Sequence, residues 1–179
     1  DFNELGNIYP AFHRKSMVIT LYNFFEHQLK TLCSELNKLL PVNASVKYFK
    51  NEDIKEYRKF LIRECESNIV KGGNLWSHWE DMLKVEQIRH VLVHSEGEIG
   101  KNKARLQPII ESYCRRNKKI RLIRNTVIID EDYVGDLVKN LISFFELLDI
   151  QISAFIRRYT DEHGSFEVEL PPGASRTPL

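Results

Sequence analysis

The chain has 179 residues, an ordinary length for one domain, and a domain of that size buries about 70% of its unfolded surface without needing staples. Its apolar (42%) and charged (28%) fractions are those of a globular domain rather than a disordered or membrane one, and no run approaches the ~18 apolar residues of a membrane span. A net charge of +1 leaves the overall field neutral towards nucleic acid, so any polyanion must be met at a local patch. Residues 1–20 carry no signal-peptide pattern. Cys33, Cys65 and Cys114 are odd in number and lack metal-ligand spacing, so they read as reduced, buried thiols of a cytoplasmic protein. In that setting the Asn43-Ala44-Ser45 sequon is inert.

In chain order, Val18, Leu21, Tyr22, Phe25, Leu29, Leu32, Cys33, Leu36 and Leu39 recur at three- and four-residue steps. They predict a helix from about Ala11 to Leu40, ended by Pro41. Asp53 suits the N-cap of a second helix through about Glu66, with Ile54, Tyr57, Leu61 and Cys65 inward. Gly72-Gly73 breaks the chain. A third helix then starts near Leu75 and turns Trp76, Trp79, Leu83, Ile88 and Leu92 or Val91 inward. It should finish around Ser95 to Gly97, with Gly97 suited to a left-handed cap.

Lys103–Tyr113 reads as a weaker helical stretch interrupted by Pro108, and 119–130 as a short β-hairpin turning at Arg124-Asn125. Asp130 or Asp132 can cap a final helix reaching about Arg158, striped by Val134, Leu137, Leu141, Phe144, Phe145, Leu148, Ile152 and Phe155. The pattern implies an all-α, up-and-down four-helix bundle over 1–160, with 161–179 as a C-terminal tail. Trp76 and Trp79 read as core or dimer-interface packing, with a base-stacking platform as the lesser alternative. Tyr22 and the Phe24-Phe25 and Phe144-Phe145 pairs read as core, with one member of each Phe pair a candidate for a dimer seam.

One segment, Gln87-Ile88-Arg89-His90-Val91-Leu92-Val93-His94-Ser95-Glu96-Gly97, gathers an arginine, two histidines and a helix-ending glycine at the close of a core helix. It resembles the signature of the HEPN superfamily: an arginine, a polar residue, then a histidine about five residues on, at the end of the third bundle helix. Arg89-His90-x3-His94 matches in residue type, spacing and chain position, and the helical layout matches over roughly residues 10–158. The resemblance implies a toxin- or defence-type RNA endonuclease that works as a homodimer, the two motifs facing each other across the interface. In some HEPN toxins a tyrosine two residues after the motif histidine is the target of a partner nucleotidyltransferase. Here that residue is Glu96, so control by a separate antitoxin, a defence-complex partner or sequestration stays open.

The residue types make chemical sense by themselves. A histidine titrating near pH ~6.5 can move the 2′-hydroxyl proton of RNA, which assigns His94 as acid or base. A guanidinium offers fixed donors to the charge that builds on phosphorane oxygens, which assigns Arg89 as clamp. His90, four residues from His94, shares its face and can orient the phosphate. Such a reaction yields a 2′,3′-cyclic phosphate and calls for no metal or other cofactor. Arg89 and His94 lie about 140° apart on an ideal helix, so they converge only if the helix ends before His94 or through the arginine's length. Arg115, Arg116, Lys118, Lys119, Arg121 and Arg124 form a basic cluster without an acid among them, either a solvated loop or a contact to flanking RNA phosphates.

Competing readings are plainer. Arg89 can simply pair with Glu86 or Glu96 on a helix surface. His90 and His94 have the spacing of helical metal ligands but lack a third ligand. A HEPN domain can also be non-catalytic, a nucleotide- or RNA-binding or dimerisation module.

Overall fold

The computed structural model describes residues 2–40, 53–100 and 105–164, with side chains from Ile8 onward. These residues are mostly helical, with one two-stranded antiparallel sheet. The helices are α1 (Phe2–Leu39), α2 (Ile54–Arg63), α3 (Trp76–Ser95), α4 (Gln107–Arg116) and α5 (Glu131–His163). The hairpin, β1 (Ile120–Ile123) and β2 (Thr126–Ile129), lies between α4 and α5. Among the described residues no helix is long and apolar enough to cross a membrane.

Helix α1 is the spine, packing against α2, α3, α5 and β2, and α3 in turn touches α4 and α5. The expected stripes do bury: Val18, Tyr22, Phe25, Leu29, Cys33 and Leu36 from α1 meet Trp79, Ile88, Val91 and Leu92 from α3 and Leu137, Leu141, Phe144 and Leu148 from α5. At the centre, Phe25 packs edge-on to Phe144 at 5.3 Å between ring centroids and lies 6.0 Å from Trp79. Such tilted pairs stabilise beyond the area they bury. Trp76 is only half-buried, its ring under the Arg58 guanidinium at 5.3 Å. In each Phe pair one member is less buried than the other, Phe145 only partly buried and Phe24 half-exposed. Phe24 meets Phe145 edge-on and with Ile142 lines an apolar groove between α1 and α5.

Several boundaries differ from expectation. Helix α1 begins at Phe2, well before Ala11, and accommodates Pro10 at the loss of one backbone donor. Helix α2 stops at Arg63, three residues short of Glu66. Asp53 does cap it, its carboxylate accepting from the Lys55 N–H at 2.8 Å. Pro108 does not interrupt a helix; it sits in the first turn of α4, where its missing N–H has no intrahelical role. Asp130, rather than Asp132, is the N-cap of α5, which continues past Arg158 to His163.

The hairpin forms as predicted, with Ile120 opposite Ile129 and Ile123 opposite Thr126. Arg124 and Asn125 adopt φ of 49° and 63°, the paired left-handed geometry that matches strand twist in a two-residue turn. Cys33 and Cys65 are buried free thiols, and burial pushes Cys65 up to about 12, while Cys114 is only half-buried. The sequon at 43–45, the start of the stretch at 103–104 and the tail at 165–179 lie outside the described residues.

Candidate functional site

The motif helix α3 buries Met82, Val85, Ile88, Val91 and Leu92. Arg89 and His90 follow Ile88 around the helix and so emerge beside the core, Arg89 half-buried and His90 exposed. Arg89 turns towards α1. Its Nη2 donates to Asn23 Oδ1 at 3.3 Å, and its Cζ lies 5.9 Å from the centre of the Tyr22 ring. Its Nε is shielded from solvent and has no hydrogen-bond partner among the described residues. No ion pair joins Arg89 to Glu86 or Glu96, so the plain surface-pair reading fails.

His90 and His94 occupy successive turns, their ring centroids 4.6 Å apart and their planes inclined by 52°. His94 remains inside the helix, which runs on to Ser95. Helix α3 thus ends within the expected Ser95-to-Gly97 range, an end before His94 does not occur, and helical geometry keeps His94 about 140° around from Arg89. The left-handed cap is also displaced by one residue: Glu96 takes it, with φ of 52°, and Gly97 follows at φ of 99°. Two contacts hold Glu96 and Gly97 in place. Lys15 Nζ donates to the Glu96 carbonyl at 2.6 Å, and the Gly97 N–H reaches back to Val91 at 3.1 Å.

Arg89 and His90 line a cleft of about 460 Å³ between α1, α3 and the start of α4. Its other walls are Tyr22 and Glu26 of α1, Glu86 and Gln87 of α3, and Arg105, Leu106 and Ile109. His94 is exposed and does not line it. Burial raises the Glu86 carboxyl above its usual range, opposed by nearby Lys55 and assisted by Asp53 and Glu26. The Tyr22 hydroxyl is raised far more, first by burial and then by Glu86 and Glu26. Glu26, Glu86, Gln87, Arg105 and Asn23 were not singled out as site residues from sequence. The readable signal was the three-residue step from Glu86-Gln87 to Arg89-His90, which stacks all four on one side of α3.

Comparison of the chain with family models, curated proteins and solved structures yields no match.

The basic cluster lies elsewhere, spread from the end of α4 to the hairpin, and none of its six residues lines the cleft. Half of it is engaged: Arg116 faces Glu80 at 3.7 Å, Lys119 Asp136 at 2.7 Å and Arg121 Asp130 at 2.6 Å. The Lys119 contact holds the Asp136 carboxyl below its usual range. Arg115, Lys118 and Arg124 are exposed. The hairpin nonetheless approaches the motif's end, because the Val127 N–H donates to the Gly97 carbonyl at 2.9 Å and the Ile99 N–H to the Asn125 carbonyl at 2.8 Å. The turn bearing Arg124 is thereby tied to the segment just past His94. Among the described residues no group of three or more His, Cys, Asp or Glu side chains gathers as a metal site.

Proposed function

We propose that the protein is a metal-independent RNA endonuclease of the HEPN type, a helical bundle whose homodimer cuts RNA to leave a 2′,3′-cyclic phosphate. The observation that carries this reading is the state of Arg89. Its guanidinium is held against Tyr22 and Asn23, its Nε is unpartnered, and it lines a cleft one residue from His90. A buried donor left unpaired costs about 1–3 kcal/mol, a cost that a waiting ligand offsets.

In the proposed reaction Arg89 donates to the phosphate oxygens as charge builds on them. His94, exposed outside the cleft, takes the 2′-hydroxyl proton or returns one to the leaving 5′-oxygen, and His90 orients the phosphate between them. Within one subunit Arg89 and His94 diverge around α3, so the acid–base pair is completed by a second copy. The exposed apolar side chains of α1 and α5, Phe24 and Ile142, favour self-association. Arg115, Lys118 and Arg124 then carry flanking phosphates of the RNA.

The divergence of Arg89 and His94 also favours a second reading, a non-catalytic module that binds nucleotide or RNA in the same cleft, alone or within a defence complex. Incubating wild-type, Arg89→Ala and His94→Ala proteins with total RNA in EDTA separates the two. The nuclease reading expects degradation by folded wild-type dimer alone. RNA left intact by folded, dimeric wild type, or cut equally by all three, defeats it.

A further inference from the structure

The cleft carries both signs of charge. Helices α1 and α3 run past each other so that Tyr22 and Asn23 meet Arg89, while Glu86 and Glu26 both act electrostatically on Tyr22 and Glu26 acts on Glu86. Glu86 lies one turn before Arg89 on α3, and Glu26 one turn beyond Tyr22 on α1. The two carboxylates therefore lie one turn along α1 and α3 from the Tyr22–Arg89 contact, and His90 and Arg105 also line the cleft. Leu106 and Ile109, the latter 44% exposed, add an apolar wall. Neither carboxylate forms an ion pair among the described residues, and Glu86 accepts only a long bond, 3.3 Å, from its neighbour Gln87.

A cleft built for phosphate alone would not keep two carboxylates within it, since like charges repel at close quarters. The carboxylates call for a ligand with N–H donors, and Arg89 and His90 for an anion on the same molecule. A nucleotide joins the two, with an apolar wall to cover its base. Among the RNA bases only guanine sets two N–H donors side by side, N1–H and the N2 amine, matching the two oxygens of one carboxylate. Uracil offers one donor between two acceptors. Adenine and cytosine each set an acceptor beside their amine, which a carboxylate opposes.

We infer that the cleft is a guanine-selective nucleotide subsite, with Glu86 accepting from N1–H and the N2 amine while Arg89 and His90 hold the adjoining phosphate. The inference rests on the nucleotide reading above and gives it a base preference. Glu86 is the specificity-determining residue, and Glu26 keeps a second phosphate away from it.

The test is calorimetric titration of the full chain with guanosine 3′-monophosphate, uridine 3′-monophosphate and inorganic phosphate. Guanosine monophosphate is expected to bind about tenfold or more tightly than uridine monophosphate, a typical discrimination for a bidentate base contact. Glu86→Gln, close to isosteric, should weaken guanosine monophosphate binding until the two nucleotides differ by less than about threefold. Equal wild-type affinities, a preference surviving in Glu86→Gln, or no nucleotide binding would each overturn the inference. If the variant fails to fold, the wild-type comparison decides alone. Binding needs no turnover, so guanine selectivity without RNA cleavage supports the subsite while removing the nuclease reading. Cleavage with no guanine preference at the cut does the reverse.

Discussion

Replacing Arg89 by Met separates a ligand-binding arginine from a structural one, because the two roles predict opposite balances of stability and activity. The hydrogen bond to Asn23 is long, 3.3 Å, and partly exposed, so its loss costs about 0.5 kcal/mol. The Tyr22 contact, at 5.9 Å, lies at the outer edge of cation–π range and contributes about 0.5 kcal/mol. Against these stands the shielded, unpartnered Nε, whose removal recovers about 1–2 kcal/mol. Methionine keeps an unbranched stem against the core, so little packing is lost. The net effect on stability is then near zero or slightly favourable. On the proposed reading Arg89 is a transition-state donor, and its loss should lower RNA cleavage by about 10²–10³-fold. Urea unfolding followed by circular dichroism, beside a cleavage assay on the same samples, reads both quantities. A stability loss above about 2 kcal/mol with cleavage intact would refute the reasoning and make Arg89 structural.

Glu86→Gln should stabilise the fold at neutral pH. Burial raises the native carboxyl above its reference value of 4.5, so folding takes up a proton between that value and the raised one, and stability falls as pH rises through that window. The variant does not titrate. Its advantage in melting temperature should therefore be full at pH 7 and vanish below about pH 4, as a pH series of thermal melts would show; an advantage independent of pH would contradict the assigned cause. Replacing Arg115, Lys118 and Arg124 together by Ala should lower the salt dependence of single-stranded RNA binding by about 2 in log–log slope, measured by fluorescence anisotropy. An unchanged slope would mark the cluster as solvated surface.

How far the sequence could be read depended on the range of the interaction concerned. The hairpin was legible because its signals are local: β-branched runs on either side of Arg124-Asn125 leave little but a two-residue turn. Helix α3 was legible because Trp79, Ile88 and Leu92 repeat at helical spacing and the chain breaks at Gly72-Gly73. The start of α1 lies well before the expected Ala11, and the helix runs through Pro10, a residue without a backbone donor. The end of α3 falls at Ser95, as expected, and only its left-handed cap is displaced by one residue. Gly97 marked the turn, but hydrogen bonds from Lys15 and to Val91 fix the reversal with Glu96 in the left-handed position.

The sequence by itself determined the helical periodicities, the hairpin, and the gathering of Arg89, His90 and His94 on one helix, because each depends on residues a few positions apart. Only the tertiary structure decided what those residues face. Asn23 and Tyr22 lie some 66 residues before Arg89 and meet it because α1 packs on α3. That packing also brings Glu26 and Glu86 into the cleft, pairs half of the basic cluster with acids from other elements, and ties the hairpin to the end of the motif. These are long-range contacts, set by which apolar faces bury against each other, and spacing along the chain does not encode the partner across the cleft.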